Sequence, residues 1–243
     1  MTKARVAVLL LPLLALISFP HLTSAEPPPL NLVETQGQGR FGIVQAYESP
    51  LLAQSAGARW ERINFWWNQI QPNGPLEWRT DKLISDTQIE AELQRGMTLV
   101  GLLGNPPAWA TRNGSVPLNL SLAPTDPENY WARFVRDMVK RYAGRIDHWI
   151  IWNEPDIDTG SDWSTWAGSE EEYYQLLKAA YLTARAANPA ARIIFGGTTY
   201  WADSIKGRKL FLERVLERAV LDPSSKANNF YFDIVNTHIY SKS

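Results

Sequence analysis

An amide and a carboxyl group, Asn153 and Glu154, follow four consecutive bulky apolar residues, Trp149-Ile150-Ile151-Trp152. A short apolar run closed by polar residues and Pro155 predicts a buried strand. A carboxylate at the tip of such a strand risks burial without a partner, which is costly. A structural role would need a dedicated partner. A proton-transfer role needs just such a carboxyl group, half withdrawn from water. Other reactive residue types stand at the ends of other apolar runs. Arg62 and Asn64 lie in a run that ends in Trp66-Trp67-Asn68. Trp109 closes the stretch after a third run, Tyr200 and Trp201 follow a fifth, and His238 and Tyr240 sit in the last. Each has a plainer alternative when taken singly. Arg62 suits a structural ion pair, Trp66 and Trp67 suit core filling, His238 suits a hydrogen-bonded core histidine, and Tyr240 suits a rim.

Composition removes several chemistries. The chain has no cysteine, so thiol nucleophiles and thiolate metal sites are excluded. It has three histidines, and His21 lies in the N-terminal leader, which argues against a multi-histidine metal centre. A net charge of −1 argues against electrostatic binding of nucleic acid. Eleven tryptophans are many for 243 residues. Some must be core, and indole faces also suit the apolar C–H patches of sugar rings.

The elements that must position these groups alternate. Strands are expected at Phe41–Gln45, Trp60–Trp66, Thr98–Leu103, Asp147–Trp152, Arg192–Gly196 and Phe232–His238. Most are near-continuous in apolar residues, as parallel strands covered on both faces are. Helices are expected between them. Pro50–Ala56 is the first and Thr80–Arg95 the second, stopped by Gly96. Asp126-Pro127 reads as an N-cap with proline at the first helical position, and Gly144 as the residue that ends that helix. Ser169 and Glu172 form a capping box, and Asn188-Pro189 stops the helix they start. Lys209–Leu221 is the last. This alternation implies a parallel sheet. A doubly wound nucleotide binder should carry a glycine-rich turn after its first strand. Ala46-Tyr47-Glu48-Ser49-Pro50 has no glycine. Polar and aromatic residues at several strand ends suit a (β/α)8 TIM barrel, whose sites gather at the C-terminal face. About six βα units are present.

Residues 1–25 read as a signal peptide: Lys3 and Arg5, then the apolar run Val6–Phe19, then Thr23-Ser24-Ala25. Residues 26–39 read as an extended spacer and 40–243 as the TIM-barrel domain, C-terminally incomplete. The expected location is secreted or extracytoplasmic, with no stable membrane span after cleavage.

Four segments together resemble glycoside hydrolase clan A, retaining (β/α)8-barrel glycosidases, and within it families 39 and 5. Trp152-Asn153-Glu154-Pro155 looks like its Asn-Glu-Pro signature. RINFWWNQIQPNGPLEW (62–78) is similar to its second strand and loop, LLGNPPAWA (102–110) to its third, and NTHIY (236–240) to its sixth. The likeness covers about residues 40–243. It implies a carbohydrate substrate, no cofactor and Glu154 as general acid/base. Asn153 would bond the sugar 2-hydroxyl, Arg62 and Tyr240 would orient the nucleophile, and His238 would contact the acid/base or the sugar. Trp109, Trp66 and Trp201 would stack on sugar rings. The nucleophile of that clan is a glutamate ending strand seven, and the resemblance stops at strand six, so no nucleophile is expected within this chain. Asp233 precedes Ile234-Val235 and so falls at the opposite end of its strand. Asp156, Asp158 and Asp162 are expected to be solvated loop acids, poorly placed for attack. The alternative is a truncated, non-catalytic fragment that at most binds carbohydrate.

Overall fold

The computed structural model describes residues 39–239, all within one compact unit. The predicted signal peptide, nearly all of the spacer, and Tyr240 lie outside the described residues. The elements in chain order are β1 (Gly42–Val44), α1 (Pro50–Ser55), β2 (Trp60–Trp66), α2 (Trp67–Ile70), α3 (Asp86–Gln94), β3 (Thr98–Gly104), α4 (Tyr130–Arg141), β4 (His148–Asn153), α5 (Glu170–Ala187), β5 (Arg192–Gly197), α6 (Trp201–Ile205) and α7 (Phe211–Ala219).

The five strands form one parallel sheet in the order β1-β2-β3-β4-β5. Strand β2 shows how the sequence sorts its faces. Glu61, Ile63 and Phe65 are buried, whereas Arg62, Asn64 and Trp66 alternate with them and are half-buried. Ile63 and Phe65 join the large core between sheet and helices, with Trp131, Phe134, Trp149 and Tyr173. Trp66 packs on the other face, against Val100, Leu102, Ile150 and Ile194. That second cluster is the inner face of the curved sheet. The outer core can seat Trp149 because β3 has glycine at 101: a Cβ there would lie 2.4 Å from the indole.

The eleven tryptophans divide accordingly. Trp67, Trp131, Trp149, Trp152 and Trp166 are buried. Trp67 stacks on Phe134 with centroids 5.0 Å apart, and Trp152 meets Trp131 and Trp166 edge-on. Trp66, Trp78 and Trp109 are half-buried, and Trp60, Trp163 and Trp201 are exposed.

Several expected boundaries shift for local reasons. Thr80–Arg95 is two helices rather than one: a 3-10 turn at Thr80–Lys82, then α3. Ser85 interrupts the run because it caps α3, exchanging a capping box with Gln88. Asp126 is not the cap of α4. Its side chain takes the Glu128 N–H at 2.8 Å, and the buried Asn129 caps the helix instead. Gly144 (φ 77°) lies one position farther from the end of α4 than expected. The Ser169–Glu172 capping box and the stop at Asn188 are as expected.

The sixth expected strand, Phe232–His238, does not form a continuous ladder. It meets β5 at two separate parallel bridges, Ile194–Ile234 and Thr198–Thr237. Ile194 and Thr198 are four positions apart, and Ile234 and Thr237 three, so the pairing slips by one residue between the bridges. Such a one-residue bulge interrupts the ladder locally. The segment still follows β5, with the Phe195 N–H donating to Ile234 O at 2.9 Å and the His238 N–H to Thr198 O at 2.8 Å.

Glu61 carries a testable consequence. It is buried on the helix side of β2, and its Oε2 takes the Tyr47 N–H at 3.0 Å. Burial, reinforced by the nearby Glu92, pushes its carboxyl group from 4.5 up to about 7. Between those values the folded chain holds a proton that the unfolded chain releases. Stability therefore falls as pH rises through that window, by roughly 3 kcal/mol at most. Glu61→Gln should flatten this slope in thermal melts at about pH 5 and about pH 8. An unchanged slope would show that the pH dependence arises elsewhere.

Candidate active site

Most of the candidate site residues lie towards the C-terminal ends of the strands, and the backbone there is unusual. Gln45, Asn105, Trp152, Glu154 and Tyr200, at or just beyond the ends of β1, β3, β4 and β5, all have φ between 49° and 74°. Non-glycine residues rarely adopt this region, and each costs about 1–3 kcal/mol.

Trp152 is the most informative. Trp149 and Ile151 face the helices, so strict alternation would send Trp152 inside and return Asn153 to the helix side. The positive φ at Trp152 (74°) breaks the alternation. Trp152 joins the outer core, and Asn153 turns to the inner face, where Arg62 Nη1 donates to its Oδ1 at 3.4 Å.

Glu154 follows with its own positive φ of 49°, its N–H donating to Gly197 O at 2.8 Å. Its Oε1 lies 2.7 Å from His238 Nδ1. The two side chains are 15% and 20% exposed. This is the dedicated partner that a half-buried carboxylate at a strand end requires. Gly197 makes the contact possible, because a Cβ there would lie 2.2 Å from His238 Nε2. Thr165 Oγ1 donates to the carbonyls of Asn153 and Glu154, holding the turn.

Arg62, Asn153, Glu154 and His238 are therefore brought together. The stacking candidates are not alike. Trp66 lies on the inner face. Trp109 is anchored, its Nε1 donating to Gln71 O at 2.7 Å and its ring edge-on to Trp67 and Tyr130. Trp201 is exposed at the start of α6.

The loop acids require a correction. Asp156 is not solvated but 2% exposed. It accepts from the Thr199 N–H at 2.8 Å, Thr199 Oγ1 at 2.7 Å and the Tyr200 N–H at 3.1 Å. Asp158 pairs with Lys206 and Arg208 at 2.5 and 2.7 Å, and these bonds hold its carboxyl below the usual range. Only Asp162 is exposed as expected. Asp233 sits at the other end of β5, accepting the Ile193 N–H at 2.7 Å and pairing with Arg185 at 2.6 Å. The sequence reading also passed over Gln45, whose Oε1 takes Asn64 Nδ2 at 2.8 Å and ties the end of β1 to β2. Its only sequence signal was its place at the end of the first apolar run.

No family model matches the chain, and no curated protein does. Solved structures do. A family 39 glycoside hydrolase from the gut symbiont Bacteroides cellulosilyticus superposes with a TM-score of 0.54 at 21% identity, over 81% of this chain and 37% of that one. A glucosidase from Croceicoccus marinus gives 0.53 at 13% identity, over 76% and 38%. A xylanase from Paenibacillus barcinonensis, complexed with a conduramine derivative, gives 0.51 at 14% identity, over 81% and 58%. The fold is that of the glycoside hydrolase barrels. The chain spans 37–58% of the length of these structures. Its five-stranded parallel sheet with intervening helices is of the kind found in a (β/α)8 barrel.

Proposed function

We propose that this chain carries the acid/base side of a retaining glycoside hydrolase acting on an oligo- or polysaccharide. The observation that carries the reading is the Glu154–His238 pair, with Oε1 and Nδ1 2.7 Å apart at the C-terminal edge of the sheet. Glu154 gives its proton to the glycosidic oxygen as the bond to the anomeric carbon breaks. A second carboxylate attacks that carbon and holds the sugar as an ester. Glu154 then removes a proton from water, which attacks the same carbon and releases the sugar with its original configuration. His238 fixes the rotamer of Glu154 at each stage. Arg62 holds the Asn153 amide towards the inner face, where it bonds the sugar 2-hydroxyl. Trp66, Trp109 and Trp201 contact the sugar rings.

The second carboxylate must lie roughly 5–5.5 Å from Glu154. Asp156 and Asp158 are committed to Thr199, Tyr200, Lys206 and Arg208. The nucleophile of this reading is a carboxylate other than these two. Proton NMR during hydrolysis of an aryl β-glycoside by protein that supplies that carboxylate tests the reading. The first sugar formed should be the β-anomer. First appearance of the α-anomer would sink the retaining mechanism.

A further inference from the structure

The geometry points to a binding site for a small organic carboxylate at the N-terminal edge of the sheet, the opposite end from Glu154. A cavity of about 360 Å³ opens there, lined by His148, Arg192, Asn229, Phe232, Asp233 and Ile234. Small-molecule sites span roughly 300–1,000 Å³, so this one suits a compact ligand.

The strands bring the groups together. His148 opens β4 and Arg192 opens β5, and the two are register partners in the parallel pair. Their side chains therefore leave the same face of the sheet. It is the inner face, since Ile150 and Ile194 stand two residues on. Ile234 reaches this edge through its bridge to Ile194. Asn229 comes from the 3-10 segment Lys226–Tyr231.

Charge selects an anion. Arg192 Nη1 lies 3.9 Å from Asp233 Oδ1, beyond hydrogen-bond reach. Asp233 is engaged elsewhere, by Arg185 at 2.6 Å and by the Ile193 N–H at 2.7 Å. One carboxylate between two guanidinium groups leaves a positive charge unbalanced. Among the described residues, neither the His148 ring nor the Asn229 side-chain amide has a hydrogen-bond partner. A carboxylate fits these donors. The guanidinium fork takes both oxygens, and the imidazole and amide N–H groups reach the remaining lone pairs. Phe232 and Ile234 form an apolar wall, which calls for an organic anion rather than a bare inorganic one.

The rim is strained. Asn229, Phe230 and Tyr231 are three consecutive non-glycine residues with φ of 51°, 54° and 66°. Such residues persist only where their surroundings hold them, and they gather at ligand clamps. Here the Phe230 N–H donates to Ser225 O at 2.8 Å and the Tyr231 hydroxyl to Asp222 at 2.9 Å. The Phe232 ring packs on Phe195 with centroids 5.5 Å apart. These contacts fix Asn229 at the cavity before any ligand arrives, which lowers the ordering cost of binding.

Titration of the isotope-labelled 243-residue chain with benzoate, followed by two-dimensional amide NMR, tests the site. Millimolar benzoate should give saturable shifts at residues 192–193 and 229–234 and leave Asn153 and Glu154 unmoved. Arg192→Gln should weaken binding about ten-fold, the loss of a charge-assisted fork. Arg192→Lys keeps the charge without the fork and should fall between. The Arg192 side chain is 52% exposed, so both variants should fold, and thermal melts check this. Lys140→Gln removes an exposed charge on α4 and should bind as wild type. Neutral benzamide should bind far more weakly than benzoate, and so should inorganic phosphate, which has no apolar part. Absence of saturable shifts, or equal affinity of Arg192→Gln and wild type, would overturn the site. Phosphate binding as tight as that of benzoate would overturn the organic class. Shifts centred on Glu154 would place the carboxylate in the candidate active site instead. Hydrolysis plays no part in these readouts, so the inference stands or falls separately from the acid/base reading of Glu154.

Discussion

Glu154→Gln is expected to lower hydrolysis of a natural oligosaccharide by roughly 10²–10⁴-fold, the range of a lost general acid/base. Glutamine keeps the shape of Glu154 and can still meet His238 Nδ1, now 2.7 Å from Oε1, so the change is chemical rather than structural. It can neither donate the proton nor later take one from water. An aryl glycoside with a good leaving group needs little acid help in the first step, so formation of the glycosyl ester should survive far better than with an oligosaccharide. Breakdown of that ester still needs a base and should become limiting. Azide is already a nucleophile. It should attack the anomeric carbon, release the enzyme carboxylate and give a β-glycosyl azide, restoring turnover. These results are expected of protein that supplies the second carboxylate. The 243-residue chain alone should release little aglycone. Equal rates for variant and wild type would refute the acid/base role. Strong hydrolysis by the 243-residue chain, lost in Glu154→Gln, would reveal a second working carboxylate within it.

Asp156→Ala should destabilise the fold by about 3 kcal/mol or more, lowering Tm by roughly 6–12 °C for a chain of this size. Asp156 is 2% exposed and takes the N–H groups of Thr199 and Tyr200 and the Thr199 hydroxyl. Alanine leaves the buried N–H and hydroxyl of Thr199 without that acceptor, and these donors cannot turn to water. Asparagine keeps one acceptor oxygen and should fall between. Asp162→Ala, an exposed change on the same loop, should stay within about 0.5 kcal/mol of wild type. Urea or thermal unfolding of the four proteins decides the matter. Asp156→Ala as stable as Asp162→Ala would mean that the carboxylate does not hold the two loops together.

The order of elements was legible because it is written in local pattern. The apolar runs of β2, β3, β4 and β5 lie within a residue or two of their observed ends, and the Ser169–Glu172 box starts α5 where its chemistry requires. The departures have separate causes. Asn129 caps α4 in place of Asp126, and its Nδ2 also reaches Leu122 O at 2.9 Å. The last strand read as continuous because alternation says nothing about a one-residue slip against a neighbour.

By itself the sequence determined that a carboxylate and an amide end a buried strand, that the strands are parallel, and which residue types meet at their C-terminal edge. Those properties follow from hydrophobic period and composition, which are local. Only the tertiary structure decided which way Asn153 points and what meets Glu154. The left-handed turn at Trp152 reverses the alternation there, and its conformational cost is offset by the burial of that indole against Trp131 and Trp166. His238 reaches Glu154 across 84 residues of chain through the space left by Gly197. Asp156 passed for a surface acid until the loop after β5 supplied its donors. A carboxylate's role depends on its partners, and those partners come from parts of the chain that only folding brings near.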